Sequence, residues 1–350
     1  MTTAASVART TATTGCGQAA GEPIGAAGPV LVVTSHEDTL VDDDRKSDEG
    51  ATAHPDVRQD APKVTFRRRP SVDFADPERS VLWAMVGRPL FELIPLRDAL
   101  DRAEALPSGA RTTVTASPSH GIESTIELCE ALEAAGHDAT PHLAAHMIRD
   151  RSHLAELLDR CRSGGIRGAF VVGGDAKDRG EIHDGLTLIR LMEELDHPFE
   201  TIGVPAYPEG HPSIPDEVLV RTLHDKQPHA AYMTTQMSFN PTAISAWIAR
   251  MREAGVSLPI HVGVPGAATM RKLATIGARI GVTGSVRYLR KHRNLLGHLV
   301  GRSFGPDALL EAIAPTLVEP SANVRGLHIF TFNQVEATVD WQKRMLAELS

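Results

Sequence analysis

The feature that most constrains the fold of this 350-residue chain is a series of eight short apolar, β-branched runs separated by stretches of helical spacing. The pattern predicts strands at 89–95, 111–117, 138–145, 168–174, 199–206, 230–236, 259–265 and 326–332. Eight is the number of parallel strands that closes a (β/α)8 TIM barrel, and residues 81–350 have about the length of that α/β fold. A doubly wound open sheet is the alternative. The barrel is favoured because no glycine-rich dinucleotide fingerprint follows the first strand.

Helices are predicted between the strands and at the end of the chain. They span 123–135, 153–162, 186–195, 215–226, 241–254, 268–280, 284–301, 306–315 and 335–349. Residues 1–80 differ from the remainder, because they are rich in Ala, Thr and Gly and contain separate acidic and basic stretches. One apolar run at 30–33 cannot offset the ordering entropy of eighty residues. This segment is therefore predicted to be a largely disordered extension of a catalytic barrel.

Composition and charge exclude several classes of partner. The net charge of −8 gives no global basic field for nucleic acid, and the basic run at 287–293 is typical of a solvated helix face. No stretch reaches the roughly 18 apolar residues that a membrane helix needs. The three cysteines are widely spaced without a CxxC pair, which predicts neither a disulfide framework nor a zinc site. We expect a cytoplasmic protein that acts on a small molecule.

One carboxylate lies within an apolar strand. Glu92 stands in the run Phe-Glu-Leu-Ile-Pro-Leu-Arg at 91–97. Burying an ionised Glu costs several kcal/mol unless it is paired, so the residue is rarely placed there for packing alone. An acid in such a pocket holds its proton near neutral pH and can deliver it to a substrate. Glu92 is therefore a candidate general acid.

Polar residues also follow the other predicted strands. Thr115, His142, Asp175 and Gln236 stand at or near strand ends, where the chemistry of a barrel is located. A single His or Gln at such a position is more often a satisfied core group. Two ionisable groups such as Glu92 and Asp175 at the strand ends of one barrel are a stronger signal. The combination predicts an active site at the C-terminal mouth.

The ordered motifs of the chain resemble the methylenetetrahydrofolate reductase family over about residues 89–335. The matching blocks are Phe91-Glu92 with Pro95 and Arg97, Pro141-His142-Leu143, Gly174-Asp175, the 206–212 loop Ala-Tyr-Pro-Glu-Gly-His-Pro, Lys226, Thr235-Gln236, Gly-Val-Pro at 263–265 and His-Ile-Phe-Thr-Phe-Asn at 328–333. The Tyr-Pro-Glu-x-His-Pro block and the Thr-Gln strand end are the most specific of these.

The resemblance implies a flavoprotein of one-carbon metabolism and methionine biosynthesis. In the family, NAD(P)H reduces FAD, which passes hydride to 5,10-methylenetetrahydrofolate and gives 5-methyltetrahydrofolate. The resemblance gives Glu92 the protonation of the folate ring, Asp175 catalytic and substrate contacts near the pterin, and Gln236 a hydrogen bond to the folate. The positions that match FAD contacts are Thr115, His142, Tyr207, His211 and Lys226.

The departures from the family pattern fall on the flavin side. Gly173 stands where an Arg is usual, and Leu219 where an Asp is usual, whereas Glu92, Asp175 and Gln236 are kept. Losing two such groups would weaken FAD binding by orders of magnitude without compensation. Hydride could instead pass directly from NAD(P)H to the folate. The alternatives are a non-catalytic folate-binding protein and a barrel enzyme for another one-carbon or C–N substrate.

Overall fold

The computed structural model describes residues 76–174, 176, 179–268 and 305–350, and in this part of the chain eight parallel strands form a closed barrel. The strands are Leu90–Leu93 (β1), Arg111–Val114 (β2), Asp138–Ala144 (β3), Gly168–Val172 (β4), Thr201–Ala206 (β5), Tyr232–Thr235 (β6), Ile260–Pro265 (β7) and Val324–Phe330 (β8). Each strand pairs with the next, and β8 pairs with β1. The TIM barrel is confirmed, and the open sheet is wrong.

Helices alternate with these strands. They are Asp76–Gly87 (α1), Ala99–Ala103 (α2), Gly121–Ala134 (α3), Arg151–Ser163 (α4), Gly185–Glu194 (α5), Asp216–Lys226 (α6), Pro241–Glu253 (α7), Asp307–Val318 (α8) and Val335–Leu349 (α9), with 3-10 turns at Ala145–Met147, Gln227–His229 and Pro320–Ala322. The sequence pattern missed α1 and α2. The predicted helix at 284–301, nearly all of that at 268–280, the basic run at 287–293 and residues 1–75 lie outside the described residues.

Side-chain caps fix where several helices begin. The Asp150 carboxylate accepts the His153 backbone N–H at 2.8 Å before α4, and the Asp184 carboxylate accepts two backbone N–H groups at the start of α5. Asn240 caps α7, which has Pro241 in its first turn. Such caps satisfy donors that have no partner inside the helix. They therefore set the length of the loops at the C-terminal mouth.

The main apolar core lies between the barrel and its helices. Leu82 and Val86 of α1 are fully buried, and α1 packs against α8 and α9. The Gln342 side-chain amide of α9 donates to the Val86 carbonyl at 2.7 Å, which joins the two helices. Among the helices that the structure describes, none has the length and apolar character needed to cross a membrane.

The inside of the barrel is more polar than is usual. Branched aliphatic residues dominate most TIM barrel interiors, whereas here Glu92, His142, Tyr232, His261 and His328 are all buried. The rings pack in tilted pairs, with centroids 4.7 Å apart for Tyr232 and His261 and 6.5 Å apart for His142 and His328. This polar interior leads to the C-terminal mouth and brings titratable groups under the candidate site.

Candidate active site

Glu92 lies near the C-terminal end of β1 and is 3% exposed. The strand register sets it beside Thr113 of β2 and Phe330 of β8. Its Oε2 atom is 3.0 Å from Nε2 of His328. Burial raises the pKa of this carboxyl from 4.5 to about 8, and the nearby His142 opposes the rise only in part. The carboxyl therefore keeps its proton at neutral pH.

The two histidines beside Glu92 stay neutral under the same conditions. Nε2 of His142 is 3.9 Å from Oε2 of Glu92, which is beyond hydrogen-bond length. Burial lowers the pKa of His142 to about 4, and Glu92 acts against that shift. Burial lowers the pKa of His328 to about 3. The three side chains thus form an uncharged group with a transferable proton on the carboxyl.

Groups that follow β8 hold the end of β1 in place. The Asn333 side chain accepts the backbone N–H of Ile94 and donates to the Ile94 carbonyl, each at 2.9 Å. The Thr331 hydroxyl donates to the Glu92 carbonyl. Phe332 and Asn333 have φ values of 50° and 55°, in the left-handed region that a bulky residue such as Phe rarely adopts. This turn orients the strand that carries the acid.

A narrow cleft opens above Glu92 at the C-terminal mouth. Its walls include the rings of Phe170, Tyr207 and Phe330, and its polar groups include Thr234 and Gln236. The Gln236 side-chain oxygen accepts the Met237 N–H at 2.9 Å, and its amide N–H groups donate to no other described residue. The Thr234 hydroxyl is buried and has no partner among the described residues. Apolar walls with a few polar groups are typical of a site for a flat heterocycle.

A second buried charge lies away from this cleft, at the C-terminal end of α6. Lys226 is 6% exposed, and its ammonium lies so close to α5 that a β-carbon added at Gly185 would be 3.0 Å from Nζ. Burial lowers the pKa of Lys226 to about 8, while Asp184 partly restores it. Asp184 also accepts the first backbone N–H groups of α5. Its carboxylate therefore takes the position at the helix N-terminus that would otherwise attract an anion.

The structure brings together some of the residues that the sequence predicted. Glu92, His142, Tyr207 and Gln236 line one cleft. His142, predicted as a flavin contact, has its ring beside the carboxyl of the acid. Asp175 lies outside the described residues.

Three predicted cofactor contacts are not part of the cleft lining. The Thr115 hydroxyl is fully buried without a partner among the described residues. His211 packs edge-on against Tyr207 with ring centroids 5.0 Å apart. Lys226 lies at the corner between α5 and α6.

Sequence reasoning gave no role to His328 or Thr234, although both line the cleft. His328 is two residues before Phe330, so the two share a face of β8, and the pairing of Phe330 with Glu92 directs that face into the barrel. The period-2 spacing within the 328–333 block could have shown the shared face. The direction of the face is known only once the strand register is known.

The family model for methylenetetrahydrofolate reductase matches residues 93–345, which is most of the chain. The chain belongs to the methylenetetrahydrofolate reductase family. Among solved structures, an uncharacterized protein from Clostridium thermocellum, described as binding two copies of 5-methyl-5,6,7,8-tetrahydrofolic acid, matches with a TM-score of 0.53 and 12% identity, over 78% of this chain and 99% of that one. At this identity the likeness shows the fold. Dihydropteroate synthase from Thermus thermophilus matches at a TM-score of 0.38 and 13% identity, over 74% and 92% of the two chains, and supports no argument.

The described residues of this methylenetetrahydrofolate reductase family member do not suit FAD. A dianionic diphosphate needs free cations or free helix N–H groups, but Lys226 is opposed by Asp184, which also occupies the start of α5. Leu219 of α6 offers no polar group where the family pattern has an Asp. Of the five predicted flavin contacts, only His142 and Tyr207 line the cleft. No catalytic step is therefore assigned to a flavin.

Proposed function

We propose that this chain reduces 5,10-methylenetetrahydrofolate to 5-methyltetrahydrofolate, with NAD(P)H as the hydride donor and Glu92 as the general acid. Membership of the methylenetetrahydrofolate reductase family supports a folate-related reaction. The observation that carries the proposal is the buried Glu92 carboxyl, its pKa raised by burial, in the lining of an aromatic cleft at the barrel mouth. The ligand described for the Clostridium thermocellum protein belongs to the same chemical class as the proposed product.

The acid has a defined task in this reaction. The methylene carbon bridges N5 and N10 of the folate, and the product keeps it on N5, so the bond to N10 must break. Glu92 donates its proton to N10 as that bond opens, which leaves an electrophilic iminium at N5. Hydride then adds to the methylene carbon, and the nicotinamide becomes oxidised. Glu92 ends as a carboxylate and must recover one proton from solvent before the next turnover.

The remaining residues of the cleft would orient the substrate. The amide N–H groups of Gln236 and the hydroxyl of Thr234 can hydrogen-bond a pterin, and the rings of Phe170 and Phe330 can pack against it. Such positioning brings the nicotinamide and the iminium carbon together and removes much of the entropic barrier. Asp175, which follows β4 in the sequence, is a proposed contact near the pterin and would join this set.

Direct hydride transfer is the form of the reaction that the described residues favour. An iminium carbon accepts hydride from a nicotinamide as well as from a flavin, so the protein needs only to protonate and orient. The FAD route implied by the family would require a free cation for the diphosphate. Lys226 does not provide one, because Asp184 already acts as its counter-charge. A weakly held flavin is the alternative that the assay must separate.

Purified full-length protein assayed with methylenetetrahydrofolate tests the proposal. The assay would follow the oxidation of NADH or NADPH and the formation of 5-methyltetrahydrofolate, with and without added FAD. The absorbance spectrum of the protein as isolated would be recorded as well. We expect turnover without added FAD and no flavin bands. Turnover that requires FAD would overturn direct transfer. Folate binding in calorimetry with no turnover under either condition would indicate a non-catalytic folate-binding protein instead.

A further inference from the structure

We infer that His328 is the positioning residue for the acid, and that it donates its Nε2–H to Oε2 of Glu92 and so leaves the transferable proton on Oε1. The inference rests on the proposed function for its catalytic consequence, but the contact itself is independent of that function. His328 is 1% exposed and comes from β8, the strand that closes the barrel against β1. It would therefore set both the orientation and the protonation site of Glu92.

The two carboxyl oxygens have different surroundings. Oε2 is 3.0 Å from Nε2 of His328 and 3.9 Å from Nε2 of His142. Oε1 has no hydrogen-bond partner among the described residues, and Glu92 forms part of the cleft lining. An acid that serves a ligand in the cleft must carry its proton on the oxygen that the protein leaves free. The asymmetry identifies that oxygen as Oε1.

The second ring nitrogen of His328 decides which partner donates. Nδ1 is buried without a hydrogen-bond partner in the part of the chain described. If Glu92 donated to Nε2, the neutral ring would carry its proton on Nδ1, and a buried N–H would have no acceptor. Such orphaned N–H groups are rarer in proteins than under-satisfied acceptors. We therefore assign the proton to Nε2, so that His328 donates and Nδ1 is a bare nitrogen.

No other titratable group of the described residues lies within hydrogen-bond length of the Glu92 carboxyl. His142 of β3 acts on Glu92 from beyond hydrogen-bond length, and its ring lies 6.5 Å from that of His328. His261 of β7 faces His328 from deeper in the barrel, and Arg111 of β2 acts on His261. All three imidazoles have a lowered pKa, so none of them titrates near pH 8. A carboxyl titration in that range therefore reports Glu92, because Lys226, whose pKa is also about 8, is an amine outside the cleft.

The donor also matters after the proton has left. When Oε1 gives its proton to N10 of the folate, Glu92 becomes a buried carboxylate. The Nε2–H of His328 then forms a charge-assisted hydrogen bond to it, which is roughly twice as strong as the neutral one. This interaction strengthens as charge develops and therefore favours proton transfer. Without it, the carboxyl would hold its proton more tightly and release it more slowly.

Three variants of His328 separate the donor from the shape of the ring. His328→Phe keeps a ring without nitrogen, and His328→Asn places its amide near the level of Nδ1, too short to reach Oε2. His328→Gln extends an amide N–H to the level of Nε2 and should restore the contact. His153→Phe is the matched control, because His153 is also buried and its Nε2 lies 3.1 Å from Glu123 outside the barrel.

The first readout is the infrared band of the protonated Glu92 carboxyl, followed against pH and identified by its loss in Glu92→Gln. We expect the titration midpoint to rise by about one unit or more, tenfold in the proton affinity, in His328→Phe and His328→Asn. The midpoint should return toward the wild-type value in His328→Gln and remain unchanged in His153→Phe. An unchanged or lower midpoint in both the Phe and Asn variants would overturn the inference, whatever their stability.

The second readout is the pH profile of folate reduction. We expect kcat in the Phe and Asn variants to fall roughly 10- to 100-fold, with the alkaline limb displaced upward by the same interval as the infrared midpoint. If the midpoint shifts in the variants but the wild type shows no turnover, the positioning contact stands and the reductase function is rejected. Wild-type turnover with an unshifted midpoint would reject the role of His328 and leave the reductase proposal standing.

Discussion

Glu92 and Lys226 are both buried at the C-terminal side of one barrel, yet burial leaves them in opposite charge states. Glu92 has only neutral histidines beside it, and its pKa rises to about 8. Lys226 has its pKa lowered to about 8 and is opposed by Asp184. At neutral pH the carboxyl is uncharged and the ammonium is charged. Desolvation disfavours the charged form of each, but both groups are protonated at pH 7, and a protonated carboxyl is neutral whereas a protonated amine carries a charge that Asp184 partly offsets.

The comparison also separates reactivity from structure. The Glu92 carboxyl lines a cleft with aromatic walls, and its neighbours in that cleft are uncharged. The Lys226 charge is directed at a helix cap that is already satisfied. The first site can give a proton to a ligand, whereas the second contributes to the packing of α5 and α6. Four changes would test this contrast, taken from the largest expected effect to the smallest.

Glu92→Gln should have the largest effect. It keeps the shape of the side chain and removes the proton, so kcat for folate reduction should fall about 10²- to 10⁴-fold, the usual contribution of a general acid. Folate affinity measured by calorimetry should change little, because the amide still fits the site. A variant that retains more than a tenth of the wild-type kcat would show that another group supplies the proton.

The pH dependence of stability should reveal the buried neutral groups. Between pH 4.5 and about 8 the folded protein holds the Glu92 proton that the unfolded chain releases, so this group lowers the free energy of unfolding as pH rises. His142, His261 and His328 act oppositely below 6.5, because the unfolded chain binds protons there that the folded protein excludes. The free energy of unfolding should therefore be greatest near pH 6.5.

Urea unfolding at several pH values would measure both limbs. Each limb should change by an amount on the order of a few kcal/mol. Glu92→Gln should remove the decline in the free energy of unfolding between pH 6.5 and 8. His261→Phe should make its rise below pH 6.5 less steep without altering the alkaline side. Stability that increases steadily from pH 6.5 to 8 in the wild type would contradict a neutral Glu92.

Asn333→Ala should have a smaller effect, which spreads to the active site. It removes both hydrogen bonds to Ile94 and places a β-carbon residue without a polar side chain at φ 55°. We expect a loss of about 2–3 kcal/mol in the free energy of unfolding and a drop in kcat, because the strand that carries Glu92 loosens. Asn333→Gly is the control, since it relieves the backbone but still lacks the amide. Equal stability of Ala and wild type would show that the amide does not hold β1.

Asp184→Ala should have the smallest effect, confined to stability. It removes the cap of α5 and the counter-charge of Lys226, which should cost about 1 kcal/mol. Asp184→Asn keeps the cap and removes only the charge, so it should cost less. Neither change should alter kcat with NAD(P)H. A marked rise in KM for the nicotinamide nucleotide in Asp184→Asn would show that this corner takes part in cofactor binding.

The strands were predictable because parallel strands buried on both faces are apolar runs. All eight predicted runs contain the observed strands within a few residues. The helix at Asp76–Gly87 was not predicted, because it gains its stability from packing on α8 and α9, which are distant in the sequence. The five-residue α2 is too short to show a helical period.

The candidate site was predictable to a lesser extent. Glu92 stood out because a carboxylate in an apolar run has few explanations other than chemistry. His328 did not, because one His in an apolar strand is usually a core residue. His142 stays a predicted flavin contact, and its position beside Glu92 was not foreseen, because a motif position does not say which way a ring faces. Thr115 and Lys226 were predicted as cofactor contacts, and the structure places both away from the cleft.

The sequence by itself determined the number and order of strands and the presence of a buried acid. Hydrophobic periodicity and the cost of desolvating a carboxylate act locally and can be read from neighbouring residues. The tertiary structure decided which groups surround that acid. Barrel closure pairs β1 with β8 and brings His328 within 3.0 Å of Glu92 across 236 positions of sequence. Contacts of that range depend on strand register, which no local pattern specifies.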